Sequence, residues 1–227
     1  MRLDKYLAHN NYGTRKEVRS IIKEKRVIVN GEVVTNAGEI LNINEDEISV
    51  DGLTINYVEN VYYMMNKPQN YECTHIEDKY PSVLELLPTN HKDLFFVGRL
   101  DVDTEGLLLI TNDGQFSHRI AHGNKDIYKT YYVGLKDTFD KTFISELQQG
   151  IPLDGELLKP AKVEIVEDKV ILLSIGEGKY HQVKRMMHYC NNEVTYLKRI
   201  SIGNLKLDES LNLGEYRMLT HEEIALF

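Results

Sequence analysis

The chain has 227 residues, 42% of them hydrophobic and 27% charged, which suits one large domain or a medium domain with a small appendage around a real core. No run of about 18 uncharged apolar residues occurs, and the opening MRLDKYLAHNNYG lacks the apolar stretch of a secretion leader, so neither a membrane span nor export is expected. Cys73 and Cys190 are too few for a disulfide framework or a cysteine zinc cage, and the expected compartment is the cytoplasm.

The net charge of −8 is unevenly spread: residues 1–30 carry eight lysines and arginines against three acids, a net +5 that leaves −13 on the remainder. A short basic head on an acidic body implies a polyanionic partner for the head. Residues 2–8 and 14–26 read as short helices broken at Asn10–Gly13. Thr14 is the expected N-cap, with Glu17 three residues on completing a capping box. On the second helix Val18, Ile21 and Ile22 form an apolar face, while Arg15, Arg19, Lys23 and Arg26 fall within roughly 80° of one another. With Lys16 they make a basic stripe suited to backbone phosphates; its plainer reading is a solvated helix face. VIVNGEVV follows, two β-branched runs around Asn30-Gly31, a hairpin signal.

RLDKYLAHNNYGTRKEVRSIIKEKRVIVNGEVV resembles the alpha-L RNA-binding domain, in which two helices and a hairpin present such a surface to structured RNA. The acidic stretch 42–60 reads as the end of that module plus a linker, giving a head of 1–59 and a body of 60–227. In the body, strands are expected at VYYMMN, LFFVG, LLLIT, YKTYYVGL, AKVEIV and KVILLSIG, and helices at Gln115–Ala121, Thr138–Gln149 and His181–Tyr189. The hairpin-like spacings favour an α+β fold on a mostly antiparallel sheet over a wound parallel one.

One stretch of the body, GRLDVDTEGLLLITNDG (98–114), sets Asp101, Asp103 and Glu105 against an apolar run. A calcium loop fails, because its twelfth position would be Asn112 and a strand follows where a helix should begin. Asp103 and Glu105 read as turn residues. Asp101, between Leu100 and Leu107 and two residues from Arg99, reads as a partly buried acid that needs a cation or hydrogen bonds.

This stretch closely resembles the GRLDxxTxGLLxxTNDG signature of the pseudouridine synthases, of the small-subunit ribosomal RNA (RsuA) type. NKPQNY (66–71), YKTYYV (128–133), GEGKYHQVKRMM (176–187) and the closing RISIGNLKLDESLNLGEYRMLTHEEI resemble further family motifs in the same order. The resemblance implies the pseudouridine synthase fold, a mostly antiparallel mixed β-sheet flanked by helices. It also implies isomerisation of a uridine in ribosomal RNA, with neither cofactor nor metal.

Residue by residue, the resemblance implies that Asp101 is the essential acid, by attack on C1′ or removal of the C2′ proton. Lys184 is the implied partner cation, with Arg185 turned about 100° away from it. Tyr131 is the implied stacking group and base for the C5 proton, although by itself any tyrosine of YKTYYV would read as strand packing. Arg99 is expected to hold RNA around an extruded nucleotide or to pair with Asp103. Leu173 or Ile175 supplies the apolar wall of the base pocket, according to strand register. Lys179, His181, Gln182 and Arg185 are candidate RNA contacts, and Lys179, Lys184, Arg185, Lys198 and Arg199 make residues 179–199 a second RNA-facing segment. His181 and His188, seven apart, lack a third ligand at a sensible spacing.

Two positions depart from the family pattern: Asn70 stands where glycine is usual, and Lys179 where arginine is usual. The expected partner is small-subunit ribosomal RNA and the expected state a monomer, since no heptad seam is visible. Large-subunit RNA as substrate, a non-enzymatic ribosomal RNA-binding factor, and a glycosidase using Asp101 and Asp103 are the competing readings.

Overall fold

The computed structural model describes residues 1–10, 12–55, 60–76, 78–87, 94–122 and 127–227. The described residues form two compact units, one within 1–60 and a second made of 61–87 and 94–227.

In the first unit, α1 (Leu3–His9) and α2 (Arg15–Lys23) precede β1 (Val27–Val29), β2 (Glu32–Val33), β3 (Ile48–Val50) and β4 (Leu53–Ile55). The Thr14–Glu17 capping box forms as expected, satisfying amides that α2 would otherwise leave unpaired. Asn30 and Gly31, at φ +51° and +84°, turn β1 into β2, as an Asn-Gly hairpin demands. Leu3, Tyr6 and Leu7 pack with Val18, Ile22, Val27, Ile48 and Val50. Much of the expected linker is thus sheet: β3 and β4 complete the order β2-β1-β3-β4, and β3 supplies core residues. Residues 56–59 of that linker lie outside the described residues.

The second unit contains β5 (Tyr62–Lys67), β6 (Phe95–Phe96), β7 (Glu105–Thr111), α3 (Gly114–His122), β8 (Lys129–Leu135), α4 (Ile144–Gln149), β9 (Pro152–Leu153) and β10 (Glu156–Leu157). It continues with β11 (Lys162–Glu167), β12 (Val170–Ile175), α5 (Gln182–Tyr189), β13 (Val194–Ile202), β14 (Leu205–Lys206), β15 (Tyr216–Met218) and α6 (His221–Ile224). Its main sheet runs β11-β12-β8-β13-β7-β5-β15, with β6 and β14 on the side. The described pairings are antiparallel except β13 against β7, so the sheet is mixed and mostly antiparallel, as expected.

The apolar run of β7 is buried on both faces. Leu108 and Ile110 join the core containing Met65, Val133 and Leu173, while Leu107 and Leu109 join Phe116, Ile120 and Ile202. A strand covered on both sides has no polar alternation to offer. Gly106, at φ +101°, lies where a Cβ would collide with the Arg199 carbonyl, so β13 can approach β7 only because this residue has no side chain.

Two expectations about elements need correction. The helix expected over Thr138–Gln149 is a single 3-10 turn at Lys141–Phe143 followed by α4, because the Asp140 carboxylate accepts from the Thr142 amide and starts the helical chain there. Glu105 is not a turn residue: it opens β7, and its carboxylate accepts a 2.7 Å hydrogen bond from the Tyr196 hydroxyl. Residues 194–199 of the segment expected to face RNA (179–199) open the long strand β13, in which Leu197 and Arg199 are buried.

Candidate active site

Residues 98–104 form a tight turn leading into β7, and the structure grips it from both sides. The Thr104 amide donates to the Asp101 carbonyl at 3.1 Å, closing the turn. Beneath it, the fully buried Lys67 ammonium donates to the carbonyls of Pro68 (2.9 Å), Asp101 (3.1 Å) and Thr104 (3.0 Å). Three acceptors match the three N–H bonds of an ammonium, which is how a charge without a carboxylate partner can be buried here. Burial pushes the Lys67 pKa down. The Asn70 amide adds a 2.8 Å bond to the Val102 carbonyl, with Asn70 at φ +64°. Asparagine tolerates that left-handed turn, so the departure from glycine keeps the geometry.

On the side-chain face, Lys184 of α5 donates to Asp101 Oδ2 at 3.1 Å and to Asp103 Oδ1 at 2.6 Å. Burial opposes charge on Lys184, but the bonds to Asp103 and Asp101 outweigh it and raise its pKa. Burial likewise opposes charge on Asp103, and the bond to Lys184 prevails, holding its carboxyl below the usual value. Asp103 is therefore more than a solvated turn residue: it anchors the lysine that reaches Asp101. It does not pair with Arg99, which is exposed and has no carboxylate within ion-pair distance among the described residues. Arg185, one step along α5, points elsewhere, pairing with Asp154 and donating to the Tyr180 carbonyl at 3.1 Å. A 100° step separates the two side chains, so one alone meets Asp101.

His181 precedes α5 at φ +48° and sets Nε2 3.7 Å from Asp101 Oδ1. The exposed Tyr180 ring stacks on it, centroids 3.8 Å apart. Gln182 is buried, its Oε1 accepting from the Lys179 amide at 2.8 Å, so it shapes the loop before α5. Lys179 forms an ion pair with Glu156.

Asp101, Lys184, Tyr131 and Ile175 line one cavity of about 70 Å³, with Val183 and Leu197. The 101–104 region also borders a cleft of about 780 Å³ that includes Arg99, Tyr131, Tyr180 and Arg199. Tyr131, 8% exposed, sits on β8 opposite Leu173 of β12 and Arg199 of β13. Leu173 and Ile175 share a face of β12, as residues two apart must. Position along the strand separates them: Ile175, at the strand end, reaches the cavity, whereas Leu173 is in the core and does not line it.

In the head, the stripe is less free than its sequence suggests. Arg19 donates to Asp4 at 3.0 Å, and Arg26 pairs with Glu24 (3.2 Å) and Asp51 (2.6 Å). Arg15, Lys16 and Lys23 are exposed and form no ion pair among the described residues. Sequence reading missed the roles of Lys67 and Asp103. For Lys67 the signal was present, a lysine inside the apolar run YYMMNK.

A family model described as RNA pseudouridylate synthase matches residues 61–189, and one described as S4 domain matches residues 1–48. An uncharacterised RNA pseudouridine synthase of Bacillus subtilis is 44% identical over 100% of this chain and 98% of its own length. The ribosomal small subunit pseudouridine synthase A of Haemophilus influenzae is 43% identical over 99% of this chain and 98% of its own. A crystal structure of a pseudouridylate synthase superposes with a TM-score of 0.71 at 42% identity, covering 100% of both chains.

Proposed function

This chain belongs to the RNA pseudouridylate synthase family, and from that premise we propose that it converts a uridine of small-subunit ribosomal RNA to pseudouridine with Asp101 as the essential group. The observation that carries the reading is the Asp101 side chain, 31% exposed, paired with Lys184 and facing a cavity walled by Tyr131 and Ile175. The reaction breaks the bond from N1 of uracil to C1′, turns the base, and joins C5 to C1′. The C5 proton leaves and N1 gains one, so the product is an isomer of the substrate.

In this reading the Asp101 carboxylate attacks C1′ or takes the C2′ proton, and Lys184 and Asp103 fix its position. Tyr131 stacks on the uracil and receives the C5 proton, while Ile175 provides the apolar wall. Arg99 and the Tyr180–His181 stack meet the RNA around the extruded nucleotide. Residues 1–59 serve as an RNA-binding domain acting through Arg15, Lys16 and Lys23, and residues 60–227 as the catalytic domain. The protein acts as a monomer in the cytoplasm, where its substrate is made.

The test incubates purified protein with small-subunit and, separately, large-subunit ribosomal RNA transcripts and maps pseudouridine chemically. Signal in the small-subunit transcript from wild type and none from Asp101→Asn is the expected result. Signal confined to large-subunit RNA would overturn the substrate, and a fully active Asp101→Asn would overturn the role of that residue.

A further inference from the structure

Among the described residues of the second unit two cations lie buried, and they are not alike. Lys67 has all three of its donors satisfied by backbone carbonyls. Arg199, 3% exposed on β13, has five N–H donors, and the structure gives it one acceptor, the Leu107 carbonyl, 2.7 Å from Nε. Its Nη2 is buried without a hydrogen-bond partner, and no carboxylate pairs with it among the described residues. A buried guanidinium in that state is short of an anion, because an unpaired charge out of water costs far more than an unpaired neutral group.

The unclaimed edge has an outlet. Arg199 lines the 780 Å³ cleft together with Asp101, Arg99 and Tyr131. Its Nη1 lies beside Gly98, also of that cleft, where a Cβ would stand 3.8 Å away. The sheet register sets Arg199 opposite Tyr131, next to the strand that bounds the Asp101 cavity.

We propose that Arg199 is a phosphate-binding residue of the cleft, its guanidinium taking the phosphodiester that adjoins the extruded uridine and so fixing that nucleotide's sugar at Asp101. The inference rests on the pseudouridine synthase reading above. An RNA backbone supplies the missing anion, and Nη1, beside the cleft residue Gly98, is the donor placed to meet it. Extruding a nucleotide brings its flanking phosphates to the mouth of the site that receives the base. The anion is then present only when substrate is bound, so the cost of the lone guanidinium is relieved at the moment of binding.

The experiment crosses the residue with the phosphate. Transcripts are ligated around the mapped uridine with one neutral methylphosphonate linkage on its 5′ or its 3′ side, and kcat/KM is measured for wild type and Arg199→Gln. Wild type should lose about tenfold or more with one of the two linkages, as for a charge-assisted hydrogen bond. Arg199→Gln should lose a similar factor on normal RNA and less than about twofold further with that linkage, since the two changes remove one interaction. Losses that multiply, or a wild type indifferent to both linkages, would overturn the proposal and leave Arg199 a packing residue. Should Arg199→Gln melt below the assay temperature, Arg199→Lys, which keeps the charge but not the fork, takes its place in the same cycle. A wild type that makes no pseudouridine in unmodified RNA would instead defeat the functional reading, so the two failures are separable.

Discussion

The two units use positive charge in opposite ways. In the first, the arginines and lysines of α2 and of the turn after it are exposed, and those that find partners find carboxylates: Arg19 with Asp4, Arg26 with Glu24 and Asp51. In the second, Lys67 and Arg199 are buried and take backbone carbonyls instead. Surface charge is cheap to display and remains adjustable by salt, which suits an encounter with a polyanion. Buried charge is costly, so it persists only where a rigid arrangement of acceptors, or a ligand, requires it. Near Asp101 both modes meet: Lys184 grips the turn by its carboxylates and Lys67 by its carbonyls.

The sharpest way to break this contrast is Lys67→Met. It leaves the Asp101 and Thr104 carbonyls without their donor, and urea unfolding of the full chain should lose about 4 kcal/mol. Activity should fall through kcat more than KM, because the turn that carries Asp101 loosens; an unchanged midpoint would show the buried charge to be dispensable. Next comes Asp4, whose side chain is fully buried between Arg2 and Arg19. The bond from Arg2 foremost, opposed by burial and aided by Arg19, lowers its carboxyl to about 2. A carboxyl lowered on folding contributes stability that is fully present above its unfolded value, about 4, and is lost as pH falls toward 2. The first unit should therefore lose structure across that window, followed by NMR of its amides, and Asp4→Asn should remove the dependence.

Smaller still is Asp103→Asn. Asp103 is well exposed, so the lost ion pair should cost less than about 1 kcal/mol at neutral pH and nothing once acid has protonated the wild-type carboxyl. Its effect on kcat should exceed its effect on the melting temperature, because Lys184 loses its second anchor. The least effect on stability, within about 0.5 kcal/mol for each change, is expected from Arg15→Gln, Lys16→Gln and Lys23→Gln. Combined, they should reduce the slope of log affinity for RNA against log salt by about 2, whereas Arg26→Gln, already paired, should alter it less.

Local features were legible in the sequence because neighbouring residues decide them. The Thr14–Glu17 box, the Asn30-Gly31 turn and the apolar run of β7 each form where their residues stand. Motif resemblance also marked Asp101, Tyr131 and Lys184, residues that the fold brings to one cavity. The misreadings fall where distant chain covers a charge. Arg199 gave no sign of being buried, yet the absence of a side chain at Gly106 lets β7 lie against β13 there. Asp103 looked like solvent-facing polarity because its partner is 81 residues away. Leu173 and Ile175 could not be separated by alternation, since they share a face and differ only in position along the strand.

By itself, then, the sequence determined the family, the mixed α+β character, the caps and turns, and which acid stands in a setting that needs a cation. Those depend on short-range geometry and on ordered motifs. Tertiary structure alone decided which cation answers it, which lysine holds the turn from beneath, and which arginine is left short of an anion. Those depend on burial, and burial is set by strands and helices that arrive from far along the chain.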